Sequence, residues 1–172
     1  MMNKQLARFS VNDFDKYNCL KISIWYWLTI AFLIKGYVVA LLSLSNMRDK
    51  LAFIRYVYPN PDSFYTSLLT GIPGILLLVV ILARRPGAAT VIKRLWRKFY
   101  HLLVVAVIVE TVFVWLLVEP DYKSQVVSAL AQSALSLALL GILAFDHRAK
   151  INLSEFPEPI ETEPSNGKKQ KT

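Results

Sequence analysis

The chain has 172 residues, of which 55% are hydrophobic and only 19% are charged, and its formal net charge is +8. Such sparse charge cannot cover the surface of a soluble globule, so the composition excludes a soluble enzyme and a disordered chain. Cys19 is the only cysteine and there are two histidines, which excludes an intrachain disulfide and a cysteine-rich or histidine-rich metal site. We therefore expect a polytopic membrane protein.

Four apolar runs divide the sequence. Each has roughly 20 residues, enough for an α-helix to cross about 30 Å of hydrocarbon, and they cover residues 22–44, 63–83, 99–118 and 124–145. A spanning segment must satisfy its own backbone hydrogen bonds, so the pattern predicts an all-α, four-helix transmembrane bundle over residues 22–150. Residues 1–21 are predicted to be an uncleaved cytoplasmic segment, and residues 151–172 a disordered cytoplasmic tail.

Basic residues are distributed unequally between the two sides of this bundle. Fifteen precede the first run, separate the second from the third, or follow the fourth, whereas four lie on the opposite side. The positive-inside rule therefore predicts that both termini are cytoplasmic. The same asymmetry accounts for the net positive charge without nucleic acid as a partner.

Two charges lie deep within the predicted helices. Lys35 and Glu110 fall about 20 Å and 17 Å from the inner boundary at 1.5 Å per residue. An isolated charge at that depth costs at least about 3 kcal/mol, so we expect a buried ion pair between the first and third helices. The pair is interpreted first as a packing and register device, and alternatively as a relay for protons or substrate.

Gly71, Pro73 and Gly74 interrupt the second run. Proline removes one amide donor and frees the carbonyl of Leu69. The pattern indicates either an ordinary proline kink, which we favour, or a hinge or half-helix binding site of the kind found in transporters.

The fourth run carries Ser128, Gln132 and Ser136 at four-residue spacing, with alanines and a glycine beside them. Small and hydroxylated faces let membrane helices approach closely and exchange hydrogen bonds. We interpret this face as helix packing inside the bundle. Self-association is the second interpretation, and a substrate path is less favoured than packing.

Residues 91–99 form an amphipathic segment before the third run, and its polar side consists of Lys93, Arg94, Arg97 and Lys98. At the inner leaflet each cation would gain about 1 kcal/mol from anionic lipid headgroups. We favour an anchor for the third helix over a sensor of lipid or of a protein partner.

Three other features of the sequence are interpreted without a functional role. Asp146, His147 and Arg148 are expected to form a solvated helix end, and the apolar loop of residues 46–62 to lie along the outer interface. Asn152 begins a glycosylation sequon that a cytoplasmic tail would leave unused. Phosphate-binding loops, zinc-protease helices and serine-hydrolase elbows are absent from the sequence, so we expect no metal and no cofactor.

Two stretches resemble the YfeZ-like family of small proteobacterial inner-membrane proteins. They contain Phe14-Asp15, Leu20-Lys21, Trp25, Trp27 and Lys35 in the first, and Tyr58-Pro59, Asp62, Phe64, Leu69, Gly71 and Pro73 in the second. The resemblance covers roughly residues 10–150. It implies an inner-membrane location and supplies no activity and no catalytic residues.

The sequence favours a non-enzymatic structural or accessory subunit that packs against a second copy or a larger membrane protein. The alternative is a small transporter or proton-coupled protein that uses Lys35 and Glu110, and a membrane enzyme is least supported. A hydrated cavity that reaches Lys35 would favour transport. A dry core with an exposed face of small residues would favour association.

Overall fold

The computed structural model describes residues 13–15, 17, 19–46, 49–58, 60–118, 122–154 and 156–157. These residues fold as α-helices without a β-strand, with a single isolated bridge between Phe14 and Leu20. The helices are α1 (Ile24–Leu33), α2 (Lys35–Leu44), α3 (Ala52–Val57), α4 (Pro61–Leu82), α5 (Thr90–Arg97), α6 (Phe99–Leu116), α7 (Lys123–Phe145) and α8 (His147–Ser154). The all-α class expected from the apolar runs is confirmed for this part of the chain.

Three of these helices, α4, α6 and α7, are each long and apolar enough to cross a membrane. The first apolar run differs from the continuous helix predicted for it, because α1 and α2 meet at Ile34 with a bend of 68°. Together they would make a fourth span. The hydropathy of the run is unbroken, so the bend could not be predicted from it.

The second run is one continuous helix through Gly71, Pro73 and Gly74, without the hinge or half-helix break that was the alternative there, and the favoured proline kink stays a prediction. Asn60 caps α4 by accepting a hydrogen bond from the Asp62 amide, and the helix continues through Pro73 to Leu82. A membrane helix tolerates the loss of one amide donor when neighbouring groups satisfy the freed carbonyl. The break in the bundle lies in the first span instead.

Gly71 and Gly74 provide the surface on which that bend packs. A Cβ atom on Gly74 would lie 2.8 Å from the Cβ of Leu33, and one on Gly71 would lie 3.0 Å from the Leu33 carbonyl oxygen. A Cβ atom on Gly36, just after the bend, would lie 2.6 Å from Oγ of Ser67. These glycines let α1 and α2 approach the α4 backbone more closely than any larger residue would permit.

One end of the bundle, here called the closed end, holds residues 19–23 together with α5 and α8. The hydrophobic core is concentrated in this half, around the fully buried side chains of Tyr26, Trp96, Phe99 and Leu103. The ring of Tyr26 meets Phe99 edge-on with centroids 5.3 Å apart. The described ends of the chain therefore pack side by side.

The structure also differs from the predicted boundary of the C-terminal tail. Helix α8 continues to Ser154, and Ile151 and Asn152 are buried within it. The tail cannot begin at residue 151, because these side chains belong to the folded bundle. Residues 158–172 lie outside the described part.

At the opposite end, here called the open end and formed around Tyr58, Pro61, Leu117 and Tyr122, the helices diverge. In the closed half α1 packs on α4, α6 and α7, whereas beyond the bend α2 packs mainly on α3 and α4. The bend thus carries α2 aside and leaves space between α4, α6 and α7. That space is the candidate site.

Candidate functional site

Lys35 and Glu110 meet in the interior of the bundle. The Lys35 ammonium donates a hydrogen bond to Oε1 of Glu110 and forms an ion pair with it. The two residues lie at similar depth in the first and third spans, which run in the same direction because one span, α4, separates them along the chain, and they meet as their positions in the sequence predicted. Lys35 is also the first residue of α2, so it lies directly at the bend.

The two members of the pair differ in their surroundings. Glu110 is 3% exposed, and no described residue donates a hydrogen bond to its second oxygen, Oε2. The side chain of Lys35 is 25% exposed, and its ammonium lies 4.2 Å from the centroid of the Phe32 ring, a cation–π distance. The pair is therefore incompletely satisfied on the acidic side and accessible on the basic side.

A cavity of about 720 Å³ reaches from the open end to this pair. Its residues span Pro61 to Thr70 on α4 and Glu110 on α6 to Leu117 at the C-terminal cap of that helix, which corresponds to a depth of about 10–14 Å at 1.5 Å per residue. The volume is within the range of about 300–1,000 Å³ that is typical of small-molecule sites. The cavity links one end of the bundle to two opposite charges in its interior.

The walls of the cavity differ in chemistry because each helix presents one face to it. The faces of α4 and α7 are polar, and that of α6 is apolar beyond Glu110. The polar faces comprise Ser63, Thr66, Ser67 and Thr70 on α4 and Ser124, Gln125, Ser128 and Gln132 on α7; the apolar face comprises Phe113, Val114 and Leu117. These hydroxyl and amide groups can both donate and accept hydrogen bonds.

Tyr58 lies at the wall of the cavity near the open end, outside the spanning helices. Its hydroxyl is 2.9 Å from Oγ of Ser67. Burial raises the pKa of Tyr58 and the charge of Glu110 adds to the increase, whereas the hydrogen bond to Ser67 opposes it. The phenol therefore remains protonated at neutral pH and can donate a hydrogen bond.

The residues predicted to form a packing face on α7 are divided between two environments. Ser136 is buried against α6, where its hydroxyl accepts a hydrogen bond from Thr111 at 3.3 Å. Ser128 and Gln132 instead line the cavity. The four-residue spacing places the three residues on one face of α7. It does not indicate that the neighbouring helices separate towards the open end.

A second polar cluster at the closed end was not predicted as a site. Asn152 is fully buried, and its side-chain amide donates to the carbonyl oxygen of Leu20 at 2.9 Å while its Oδ1 accepts from the Ser23 amide at 2.9 Å. Its backbone carbonyl accepts from the indole of Trp96 at 3.0 Å. No local pattern in the sequence indicates this role, because the partners of Asn152 are distant along the chain.

Asp146 and Arg148 also differ from the solvated helix end that the sequence predicts. Both side chains are bonded to other residues of the closed end. Ser23 donates a hydrogen bond to the carboxylate of Asp146. Arg148 pairs with Asp13 at 3.2 Å and donates to the carbonyl oxygen of Lys21 at 3.0 Å. This cluster, with Asn152, ties the start of α1 to the end of the bundle.

The amphipathic segment forms α5, as its pattern indicates. Its basic side chains, Lys93, Arg94, Arg97 and Lys98, are all exposed at the closed end. On the other side Trp96 is buried and its ring faces the guanidinium of Arg84 at 4.7 Å. Among the described residues, no group of three or more histidine, cysteine, aspartate or glutamate side chains comes together that could hold a metal ion.

These features define a class of protein, a multi-pass α-helical membrane protein with a polar cavity that ends at an intramembrane ion pair. The chain belongs to the family described as protein of unknown function (DUF2919), whose profile matches residues 9–155. It is similar to inner membrane protein YfeZ of Escherichia coli (strain K12), with 24% identity over 103 residues. That match covers 60% of this chain and 66% of the relative, just under two thirds of its length.

No solved structure matches the chain. The resemblance to the YfeZ-like family is confirmed by the family match and by this relative. Together with the apolar helices, it identifies a multi-pass inner-membrane protein in contact with the lipid bilayer.

Proposed function

We propose that this protein is a non-enzymatic, transporter-type membrane protein that receives a small polar solute in the cavity. The observation that carries the proposal is the cavity that runs from the open end to Lys35 and Glu110 with hydroxyl and amide side chains on two of its walls. Buried ionisable residues in membrane helices are costly and typically mark paths for ions or substrates. A purely structural ion pair would need no cavity beside it.

We further propose that α1 and α2 make one span, which gives four spans with both termini in the cytoplasm. The excess of basic residues near the closed end supports this orientation. So does the packing of residues 19–23 beside α8, because an even number of spans returns the chain to the side from which it started. The open end then faces the periplasm, and the exposed cations of α5 face anionic lipid headgroups of the inner leaflet.

Cysteine labelling in intact cells tests both the cavity and the orientation. Gln132→Cys, which lies in the cavity wall, and Ala131→Cys, its exposed neighbour outside the wall, are compared in a Cys19→Ala background with a membrane-impermeant thiol reagent. We expect the cavity position to be labelled and its neighbour to remain unlabelled, because a thiolate forms in water and not in lipid. Ser154→Cys, exposed at the closed end, should be labelled only after the cells are opened.

Two results would contradict these proposals separately. Equal labelling of Gln132→Cys and Ala131→Cys, or labelling of neither after the cells are opened, would mean that the cavity is not a distinct aqueous path. Labelling of Ser154→Cys in intact cells would mean that the closed end faces the periplasm.

An accessory role is the second candidate. Ala131, Ala134 and Ala138 lie on one exposed face of α7, and such small-residue faces favour close helix contacts in membranes. Purification in a gentle detergent, followed by mass measurement and identification of co-purifying proteins, tests this role. Replacement of Ala134 by leucine should abolish any self-association or partner that depends on this face, whereas a monomer that always purifies alone contradicts it.

A further inference from the structure

The charges of the cavity point to a particular kind of solute. Among the described residues that line it, Lys35 is the only base and Glu110 the only acid. A solute with a net charge would bring an uncompensated charge into a region of low dielectric, which is unfavourable. The balance of charge therefore favours a solute that is neutral overall.

Glu110 favours a hydrogen-bond donor with a positive charge. Its Oε2 is buried within the bundle and receives no hydrogen bond from a described residue, although a buried carboxylate oxygen without a donor is costly. An ammonium group is the strongest small donor for such an oxygen, because the hydrogen bond is charge-assisted.

Lys35 favours an anionic acceptor. An ammonium group has three hydrogens, of which one is directed to Glu110, and the side chain is partly open to the cavity. Lys35 also begins α2, a helix of 10 residues, whose N-terminal dipole adds positive potential at the same place. Half-helix N-termini at broken membrane helices bind anionic substrate groups in this way.

We propose that the cavity binds a small zwitterion of the α-amino acid type, with its carboxylate at Lys35 and its ammonium at Glu110. Because the side chains of Lys35 and Glu110 are in direct contact, the complementary charges of the solute must also be adjacent, as they are on the two sides of one carbon atom. The inference rests on the proposed solute-binding function and specifies its substrate class. The hydroxyl, amide and apolar walls nearer the open end would accommodate the side chain of the solute.

Calorimetric titration of the full-length protein in detergent tests this inference with matched probes. L-leucine suits the apolar wall of α6 and L-glutamine the amide-bearing wall of α7. L-leucine methyl ester lacks the carboxylate, and N-acetyl-L-leucine lacks the ammonium group. We expect at least one free amino acid to bind, and both derivatives to bind at least about tenfold more weakly than L-leucine or not at all.

Variants of the protein sharpen the comparison. Lys35→Met and Glu110→Gln should each weaken amino-acid binding at least about tenfold, whereas Ser154→Ala, at the closed end, should leave it unchanged. If a charge variant fails to fold, the comparison of L-leucine with its derivatives on the unaltered protein still decides. An ester or an N-acetyl derivative that binds as tightly as the free amino acids would overturn the zwitterion assignment.

The result can be separated from failure of the proposed function. If neither amino acid binds while Gln132→Cys is labelled from the periplasm, the cavity holds water and the zwitterion inference is wrong, but the aqueous path remains. If Gln132→Cys is not labelled even after the cells are opened, the proposed solute-binding function itself is wrong.

Discussion

The two ends of the bundle contain polar groups of similar chemistry that are satisfied in different ways. At the closed end, Asn152 is fully buried, and both its side-chain amide and its carbonyl oxygen bond directly to other protein groups. At the open half, Glu110 retains a buried oxygen that no described residue bonds, beside a cavity. The closed end thus has the complete network expected of a structural tie, and the open half has the unfilled hydrogen-bonding capacity expected of a binding site.

The largest loss of stability should come from removing hydrogen bonds at the closed end. Asn152→Ala removes the partner of the buried Ser23 amide and one hydrogen bond to the Leu20 carbonyl oxygen, where the packed core leaves little room for a replacement. We expect a loss of about 3–5 kcal/mol in the free energy of unfolding, since the orphaned amide costs about 1–3 kcal/mol, the lost hydrogen bond to Leu20 about 1 kcal/mol, and the truncation also leaves a void. The measurement is unfolding in mixed detergent–SDS micelles, followed by tryptophan fluorescence.

Ser154→Ala is the matched control for that variant, because Ser154 lies in the same helix, is exposed, and bonds only locally to the Ile151 carbonyl oxygen. It should change the free energy of unfolding by less than about 0.5 kcal/mol. Equal stability of the two variants would show that the closed end is not the rigid tie inferred from its hydrogen bonds.

The next largest loss of stability should come from changes to the ion pair, and it should differ between Lys35 and Glu110. Lys35→Met leaves Glu110 buried without a counter-charge, and we expect a loss of about 2–3 kcal/mol, below the 3–5 kcal/mol of a dry pair because the cavity can admit water. Glu110→Gln should cost less, because Lys35 is already partly exposed. Greater loss from Glu110→Gln than from Lys35→Met would contradict the asymmetry.

The exchanged pair, Lys35→Glu with Glu110→Lys, tests the contact itself. It should recover part of the stability that each single charge reversal loses, since it restores opposite charges at the same separation. Stability no better than the sum of the two single losses would mean that the two residues do not interact.

The sequence revealed this site better than it revealed the fold around it. The depth of Lys35 and Glu110 follows from position within apolar runs, so their meeting could be predicted from local information. The bend at Ile34 could not, because it depends on Gly71 and Gly74 of another helix. The structural role of Asn152 could not be predicted for the same reason. Its partner Leu20 is 132 residues away, and an asparagine in a polar stretch is ordinarily solvated.

The bend between the two halves can be tested with glycine variants. Gly74→Ala would place a methyl group 2.8 Å from the Cβ of Leu33, so we expect a loss of about 1–2 kcal/mol as α1 shifts away from α4. Gly141→Ala is the control, because a Cβ atom there meets nothing within 4 Å. The control should be neutral or slightly stabilising, by at most about 1 kcal/mol, through its better helix propensity. Similar losses in both variants would show that glycine is not required for the close approach at the bend.

The smallest effect distinguishes the two environments along α7. Ser136→Ala removes a hydroxyl that is bonded to Thr111 on the neighbouring helix, and interhelical hydrogen bonds of this kind contribute about 0.6 kcal/mol in membranes. Ser128→Ala makes the same chemical change in the cavity wall, where the hydroxyl bonds only within its own helix to the Gln125 carbonyl oxygen. We expect no measurable loss of stability for Ser128→Ala, because water can reach the exposed wall. If Ser128→Ala proved the more destabilising of the two in mixed-micelle unfolding, the cavity wall would be a packed interface between helices. Its hydroxyl groups would then not be available to bind a solute.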